Sequence, residues 1–592
     1  MTWTQVYDPF GHWWLSTLVA ALPIIVLFGL LAVLRVRPHR AALAGAATAT
    51  CAASLAFGMP WSLSAVSFLY GAAFGLLKIA WIVVAAVYLY DISVHTGQFE
   101  VMKESVASIT ADRRLQVLLV AFCFGALIEG AAGFGAPVAI AGAFMIGLGF
   151  EPFYAAALNL IANTAPVAWG AIGTPVHTLA SVAGLPESDL NAMLGRILPF
   201  ASVLVPFWLV RTMVGWRKTF EVLPAVLVVG VSFALTQFLW SNFVDSNLVD
   251  IVGGMVSLAA TVVFLRFWKP RRVWRFPGEA GAEFAGEAET DIAAGRLATE
   301  AARVRGEVLD EGATHPARSS SRRRYTARQV AKAWMPFLVL SAFVIAWGLP
   351  QVKDALNRRT TPAYQQKGWD VPLLHNSVAR AAPVAPVVSK PAPEPAKYDF
   401  NWLSATGTSC FLAALVTGLL LGLRPRELFR IFTGTLRRMR YAAAAIAFML
   451  GLGFVTRYSG MDAVLGLAFT RTGFLFPFFG TFLGWLGVAL TGSDTSSNAL
   501  FGGLQRITAE QLKLDPVLMC AANSAGGVMG KMVDAQSIVV ATAATNQLGN
   551  EGRIFRFVLW HSVALGAFVG LIVLAYAYLF SWAVPHGLNF IR

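Results

Sequence analysis

Charge is scarce in this chain. Asp, Glu, Lys and Arg make up 13% of its 592 residues, against about a quarter in an ordinary soluble domain. That scarcity excludes a conventional cytosolic enzyme and a disordered chain. With 57% hydrophobic residues and a mean hydropathy of +0.62, most of the chain is expected in lipid. Cysteine is scarce too: Cys51, Cys123, Cys410 and Cys520 stand in apolar runs without paired or metal-ligand spacing, so neither a disulfide framework nor a zinc site is expected. No GxxxxGK[ST] pattern occurs, which removes ATP as an energy source. No nucleophile–base pair or ligand constellation stands out, so no enzyme and no cofactor is expected. The first residues carry Asp8 and no Lys or Arg; they lack the basic start of a cleavable signal peptide, and the first apolar run is expected to stay.

What is abundant is apolar sequence. Fourteen runs, from 13–34 to 554–583, approach the length of about 20 residues needed to cross the hydrocarbon. They predict an all-α polytopic membrane protein of about 12 to 14 transmembrane helices. Basic stretches at 35–40, 113–114, 211–218 and 424–440 are expected to face the cytoplasm, and 241–250, with two Asp and no basic residue, the outside. Both termini then fall on the outer, periplasmic side. The net charge of +14 is absorbed by this loop bias, so the partners expected are a lipid bilayer and a small-molecule substrate, not nucleic acid. The organisation predicted is an N-terminal membrane half at 1–268, a polar, largely disordered cytoplasmic loop at 269–333, and a C-terminal membrane half at 334–592. The last contains an outer Pro-rich stretch of extended character at 351–400.

The two halves share an internal likeness. GALIEGAAGFGAP (125–137) resembles GVALTGSDTSSNA (487–499), and LNLIANTAPVAWG (158–170) resembles LMCAANSAGGVMG (518–530), in the same order. Loop charge starts the run into the first copy in the cytoplasm and the run into the second outside, so the copies are expected to be inverted. Inverted repeats with Gly- or Pro-broken or re-entrant helices point to a secondary transporter that binds its substrate near the bilayer midplane. Glycine alone also serves close helix packing. Packing, however, needs neither the acid of EGAAGFGAP nor the hydroxyls around the acid of TGSDTSSNA.

Ionisable residues far from span ends are costly in lipid and are therefore site candidates. Glu129, Asp494 and Asp534 are the candidate proton-coupling carboxyls, each with a structural reading as a hydrogen-bond acceptor or an ion-pair partner. Lys531 suits a substrate carboxylate, or an internal salt bridge to Asp494 or Asp534. Asn163, Thr164, Ser493, Thr495, Ser496, Ser497, Asn498, Asn523 and Ser524 supply neutral donors and acceptors for substrate, and such groups also join helices. Lys78 has no evident partner, His177 reads as a packing histidine or a titrating group, and Arg457 reads as snorkelling at a span end. On residues alone, a coupled transporter of a small polar or anionic solute competes with a small-anion channel, and proton competes with sodium.

The blocks YDPFGHWWLSTLVAALPI, DISVHTGQFE, GALIEGAAGFGAPVAI, GLGFEPFYAAALNLIANTAPVAWGAIGTPV, NWLSATGT, GWLGVALTGSDTSSNALFGGLQ and AANSAGGVMGKM resemble the bacterial L-lactate permease family. The likeness spans nearly the whole chain outside the two polar loops. It implies an inner-membrane symporter that takes up L-lactate, D-lactate and glycolate with protons. One departure stands out: after GKM the family usually reads Ser-Pro-Gln, and here Val533 is followed by Asp534, Ala535 and Gln536. This puts substrate preference or coupling in question more than the fold. More distantly, paired Asn-Thr and Asn-Ser motifs look like those of the wider ion-transporter group, and by analogy imply a scaffold domain, a mobile transport domain and a homodimer.

Overall fold

In the computed structural model, the described residues are 2–30, 34, 36–133, 136–276, 325–360, 368–384, 393–398, 400–545, 547 and 550–587. Most of the polar loop expected at 269–333, namely 277–324, lies outside them, as do 361–367 and 385–392 of the Pro-rich stretch. Among the described residues, nine helices are long and apolar enough to cross a membrane, or ten if the bent pair Pro152–Ala162 and Val167–Ala183 is one span. Trp13–Leu27 and Thr406–Leu420 are shorter apolar helices. Complete spans are fewer than the twelve to fourteen expected because several apolar runs are spent in short, interrupted helices: Gly125–Ala132, Ala136–Gly147, Pro152–Ala162, Pro516–Gly530 and Ala535–Ala544.

The sequence explains where helices start. Pro38, Pro152, Pro425 and Pro516 occupy first-turn positions, where the missing N–H costs nothing. Asp112, Asp515 and Asp534 cap helices by accepting backbone N–H groups. Three expectations shift. The basic cluster at 424–440 is the first half of a 35-residue helix, Pro425–Ser459, rather than a loop; its arginines are exposed and its buried residues concentrate from Ile446 onward. The helix Ala327–Gly348 begins inside the expected polar loop, started by a Thr326–Gln329 capping box. The Pro-rich stretch, expected to be extended, contains the helix Pro350–Thr360 and two-residue strands. Among these, Val378–Ala379 pairs in parallel with Trp3–Thr4, and Trp369–Asp370 pairs antiparallel with Lys397–Tyr398.

Two apolar clusters form the core, and each draws on both halves of the sequence. Glycines set their tightest crossings. Gly71 of the Trp61–His95 span faces Gly451 and Phe454 of the Pro425–Ser459 helix so closely that a Cβ would lie 2.8 Å from the Phe454 Cβ. Gly484 lies against the Asn523 carbonyl, and Gly526 and Gly530 against the carbonyls of Thr481 and Trp485, joining Phe476–Thr491 to Pro516–Gly530. Small residues let backbones meet where lipid gives no hydrophobic drive to associate.

Contacts gather the loops into two faces. On one, Arg114 is fully buried and donates to Glu221 Oε2 at 2.7 Å and to the Arg272 carbonyl at 2.8 Å. Arg438 pairs with Asp91 and His39 stacks on Tyr441 on the same side. On the other, Gln5 Nε2 donates to the Arg457 carbonyl at 2.9 Å, Arg506 Nη1 to the Ala183 carbonyl at 2.6 Å, Gln511 Nε2 to the Pro383 carbonyl at 3.0 Å, and Phe474 stacks on Tyr578. Replacing Gly526 by Val should destabilise the crossing by about 1–3 kcal/mol through overpacking. The measurement is the apparent melting temperature of purified protein in detergent. An unchanged value would refute close packing there.

Candidate functional site

Four interruptions of regular helix converge on one cavity. Gly133 ends the Gly125–Ala132 helix with φ 56° and ψ −154°, a conformation essentially confined to glycine. Gly492 ends Phe476–Thr491 with φ 73°. Ala171, Ile172 and Gly173 are all left-handed, with φ of 47°, 58° and 69°; for the β-branched Ile172 this is a strained state. A three-residue 3₁₀ turn, Lys531–Val533, follows Pro516–Gly530. Glu129, Gly133, Val167, Gly170, Ala171, Thr174, Pro175, Gly492, Ser493, Asp494, Thr495 and Lys531 line a cavity of about 30 Å³. Both repeat-bearing segments therefore contribute to its wall.

Of the sequence candidates, Glu129, Asp494, Lys531, Ser493 and Thr495 reach the cavity. Lys531, 4% exposed, donates from Nζ to the Gly492 carbonyl at 2.6 Å and lies 3.1 Å from Asp534 Oδ2. The amine thus ties two interruptions together. Asp494 occupies the first turn of Asp494–Gln511, where the helix dipole favours an anion, and accepts from Ser524 Oγ at 2.5 Å and Asn498 Nδ2 at 3.3 Å. Ser493 caps that helix by accepting the Ser496 N–H. Thr495 Oγ1 meets Thr174 Oγ1 at 3.4 Å across the two halves. Glu129 is 3% exposed and stands within electrostatic reach of Lys531. Among the described residues its Oε2 has no hydrogen-bond partner.

The other candidates are not on the wall. Asn498 Nδ2 donates to the Pro175 carbonyl at 3.2 Å, and Asn498 Oδ1 accepts from Asn523 Nδ2 at 2.9 Å. Gln505 Nε2 extends the row to Asn523 Oδ1 at 3.2 Å. Ser497 Oγ donates to the Gly484 carbonyl and Thr164 Oγ1 to the Ile161 carbonyl. Ser496 is buried behind its cap contact and Asn163 ends the Pro152–Ala162 helix. Asp534 accepts the Ser537 N–H at 2.7 Å while countering Lys531. This layer holds the broken helix ends in place.

The three residues set aside in the sequence have partners. Lys78 Nζ sits 5.4 Å and 5.6 Å from the Phe74 and Tyr398 ring centroids. His177 bonds Glu187 through Nδ1 and Asn247 through Nε2, both at 2.9 Å. Arg457 does not snorkel; its guanidinium bridges the Ser181 carbonyl, at 3.2 Å, and Glu394. Sequence reading missed two groups. Thr174 carries no charge to mark it, and its neighbours Gly173 and Pro175 are the available signal. Asp250 closes the acidic stretch 241–250 expected outside; it is fully buried near the start of Val249–Phe267.

The wall combines a lysine amine, paired hydroxyls and a helix N-terminus, all suited to a small carboxylate, with carboxyls suited to a proton. Among the described residues no group of three or more His, Cys, Asp or Glu is arranged to hold a metal ion. Replacing Lys531 by Met leaves Asp534 buried without its cation and should cost about 3–5 kcal/mol of stability. Adding Asp534→Asn should return most of it. Thermal unfolding of the single and double variants checks this, and a double variant no more stable than the single would refute the pairing.

The family model for L-lactate permease matches residues 16–580. The chain is 45% identical over 581 residues to the glycolate permease GlcA of Escherichia coli K12, covering 98% of this chain and 99% of that one. It is 43% identical over 587 residues to the L-lactate permease of Salmonella typhimurium, covering 98% and 100%. Among solved structures, MtrF of Neisseria gonorrhoeae aligns with a TM-score of 0.41 at 12% identity, over 88% of this chain and 84% of that one. With a family match across nearly its whole length and permeases as its relatives, the chain is a membrane transporter rather than an enzyme and belongs to the L-lactate permease family.

Proposed function

We propose that the protein couples proton entry to uptake of L-lactate and related 2-hydroxymonocarboxylates, D-lactate and glycolate, across a bacterial inner membrane. The observation that carries this reading is the cavity in which Glu129, Asp494 and Lys531 meet the Thr174–Thr495 hydroxyl pair at the helix interruptions. Relatives with nearly full coverage are named glycolate permease and L-lactate permease, which supports the substrate class. In this arrangement Lys531 and the first turn of Asp494–Gln511 take the substrate carboxylate, and a hydroxyl of the Thr174–Thr495 pair takes its 2-hydroxyl. Glu129 or Asp494 takes the proton, so the loaded site crosses the low-dielectric midplane with less net charge.

Inverted repeats supply the alternating access. In support, the helix entering the first interruption starts at the face where the Arg113 N–H bonds the Trp274 carbonyl, and Phe476–Thr491 starts beside Phe474, which stacks on Tyr578 of the opposite face. The arginine-rich face is assigned to the cytoplasm, and the face carrying Trp3–Thr4 to the outside. A cavity of about 30 Å³ has room for one or two waters. It is too narrow for a three-carbon acid unless its walls part, which favours a carrier over an open anion channel.

Uptake of labelled L-lactate into proteoliposomes, with an inward proton gradient, an inward sodium gradient or neither, tests the reading. Accumulation driven by the proton gradient alone is expected. Accumulation driven by sodium, or non-saturable flux, would overturn it. Glu129→Gln should abolish gradient-driven accumulation and leave lactate exchange. In the stable Lys531→Met/Asp534→Asn background, KM for lactate should rise by about 10- to 100-fold, the worth of one charge-assisted hydrogen bond of about 1.5–3 kcal/mol. An unchanged KM would take Lys531 out of the substrate site.

A further inference from the structure

Behind the cavity lies a further buried carboxyl. Asp250 is fully buried, and among the described residues neither Oδ1 nor Oδ2 has a hydrogen-bond partner. Asp112, Asp515 and Asp534 stand at N-cap positions and accept backbone N–H groups; Asp250 lies one step inside its helix, in the first turn of Val249–Phe267. Asp250 accepts none. It is held instead against Gly130, the residue after Glu129, so tightly that a Cβ on Gly130 would lie 2.9 Å from the Asp250 Cβ. Gly254, one turn further along, sits equally close to the Cys123 carbonyl and the Leu127 N–H. The helix Val249–Phe267 is thereby pressed onto the helix that carries Glu129, and Asp250 and Glu129 lie within electrostatic reach of each other.

We infer that Asp250 is a second proton-binding carboxyl of the transport cycle, exchanging its proton with Glu129. The inference rests on the proton-coupled reading above. Two carboxyls this deep cannot both be ionised without a cation apiece, and the nearby Lys531 is already countered by Asp534. A proton that leaves Glu129 on substrate release then has a neighbouring acceptor that does not open to the cavity. Among the described residues, the other titratable groups on the elements packed around the start of Val249–Phe267 are few. Cys123 stands on the adjoining turn with Sγ against Ser257, Asp245 lies in the preceding loop, and Leu223–Phe243 carries no charged residue. That loop also leads toward solvent. Ser246 Oγ donates to Glu187, whose side chain is 40% exposed, and Asn247 bonds His177.

The test uses the full chain in proteoliposomes, with Asp250→Asn and Asp250→Glu. Asp250→Asn should retain lactate exchange, lose accumulation driven by the pH gradient and lose lactate-dependent proton influx; Asp250→Glu should restore the last two. Asp250→Asn that accumulates lactate like the parent, with an unchanged pH profile, overturns the inference. If Asp250→Asn neither exchanges nor accumulates, the decision passes to infrared difference spectra of the Glu129→Gln variant on lactate addition. A lactate-responsive protonated-carboxyl band that Glu129→Gln keeps and Glu129→Gln/Asp250→Asn loses supports Asp250, and a band that is absent from the first or unchanged in the second overturns the proposal. A parent that shows no proton-driven accumulation defeats the coupled reading itself, whereas a coupled parent with an unaffected Asp250→Asn removes only this inference.

Discussion

Backbone groups released where helices break must find partners in surroundings that contain almost no water. The site is organised around that constraint. Lys531 supplies its amine to the carbonyl of Gly492, and Asn498 supplies its amide to the carbonyl of Pro175. The first bond closes one interruption with a side chain from another, and the second ties the helix after Gly492 to the turn that follows Ala171–Gly173. The polar residues at these places are therefore structural before they are functional. A cavity exists where they meet because the backbone there has left the regular ladder.

The same economy governs charge. Ionised groups in the interior are tolerated when paired, and Lys531 with Asp534 obeys this in the short space of one turn. Asp494 is eased by a helix N-terminus, a serine and an asparagine. Asp250 has no such provision among the described residues, and Glu129 has only the more distant Lys531 and Asn163. The two residues stand on helices pressed together at Gly130 and Gly254.

Much of this was legible in the residues. Segment hydropathy marked a helical membrane protein, the similar blocks around Glu129 and Asp494 marked two of the four places where helices break, and Lys531 was singled out by its cost in lipid. Local pattern was weaker on which polar side chains reach the cavity. Ser497, Asn498, Asn523 and Ser524 look alike in sequence to Ser493 and Thr495. Only the turn of each helix decides which of them points into the cavity and which spans to the next helix. The basic run at 424–440 was misjudged for a similar reason: charge bias reports the side of a membrane, and a long amphipathic helix satisfies it as well as a loop does.

Composition and spacing determined by themselves that the chain is a polytopic helical membrane protein with acids and hydroxyls at broken helices, because burying charge in lipid is expensive enough to leave a mark in one dimension. Tertiary structure alone decided that Lys531 reaches the Gly492 carbonyl, that Thr174 completes the wall, and that Asp250 comes to rest beside Glu129 across more than a hundred residues of intervening chain. Hydrogen bonds and electrostatic contacts act over a few ångströms in space, and sequence separation carries no information about that distance until the helices have packed.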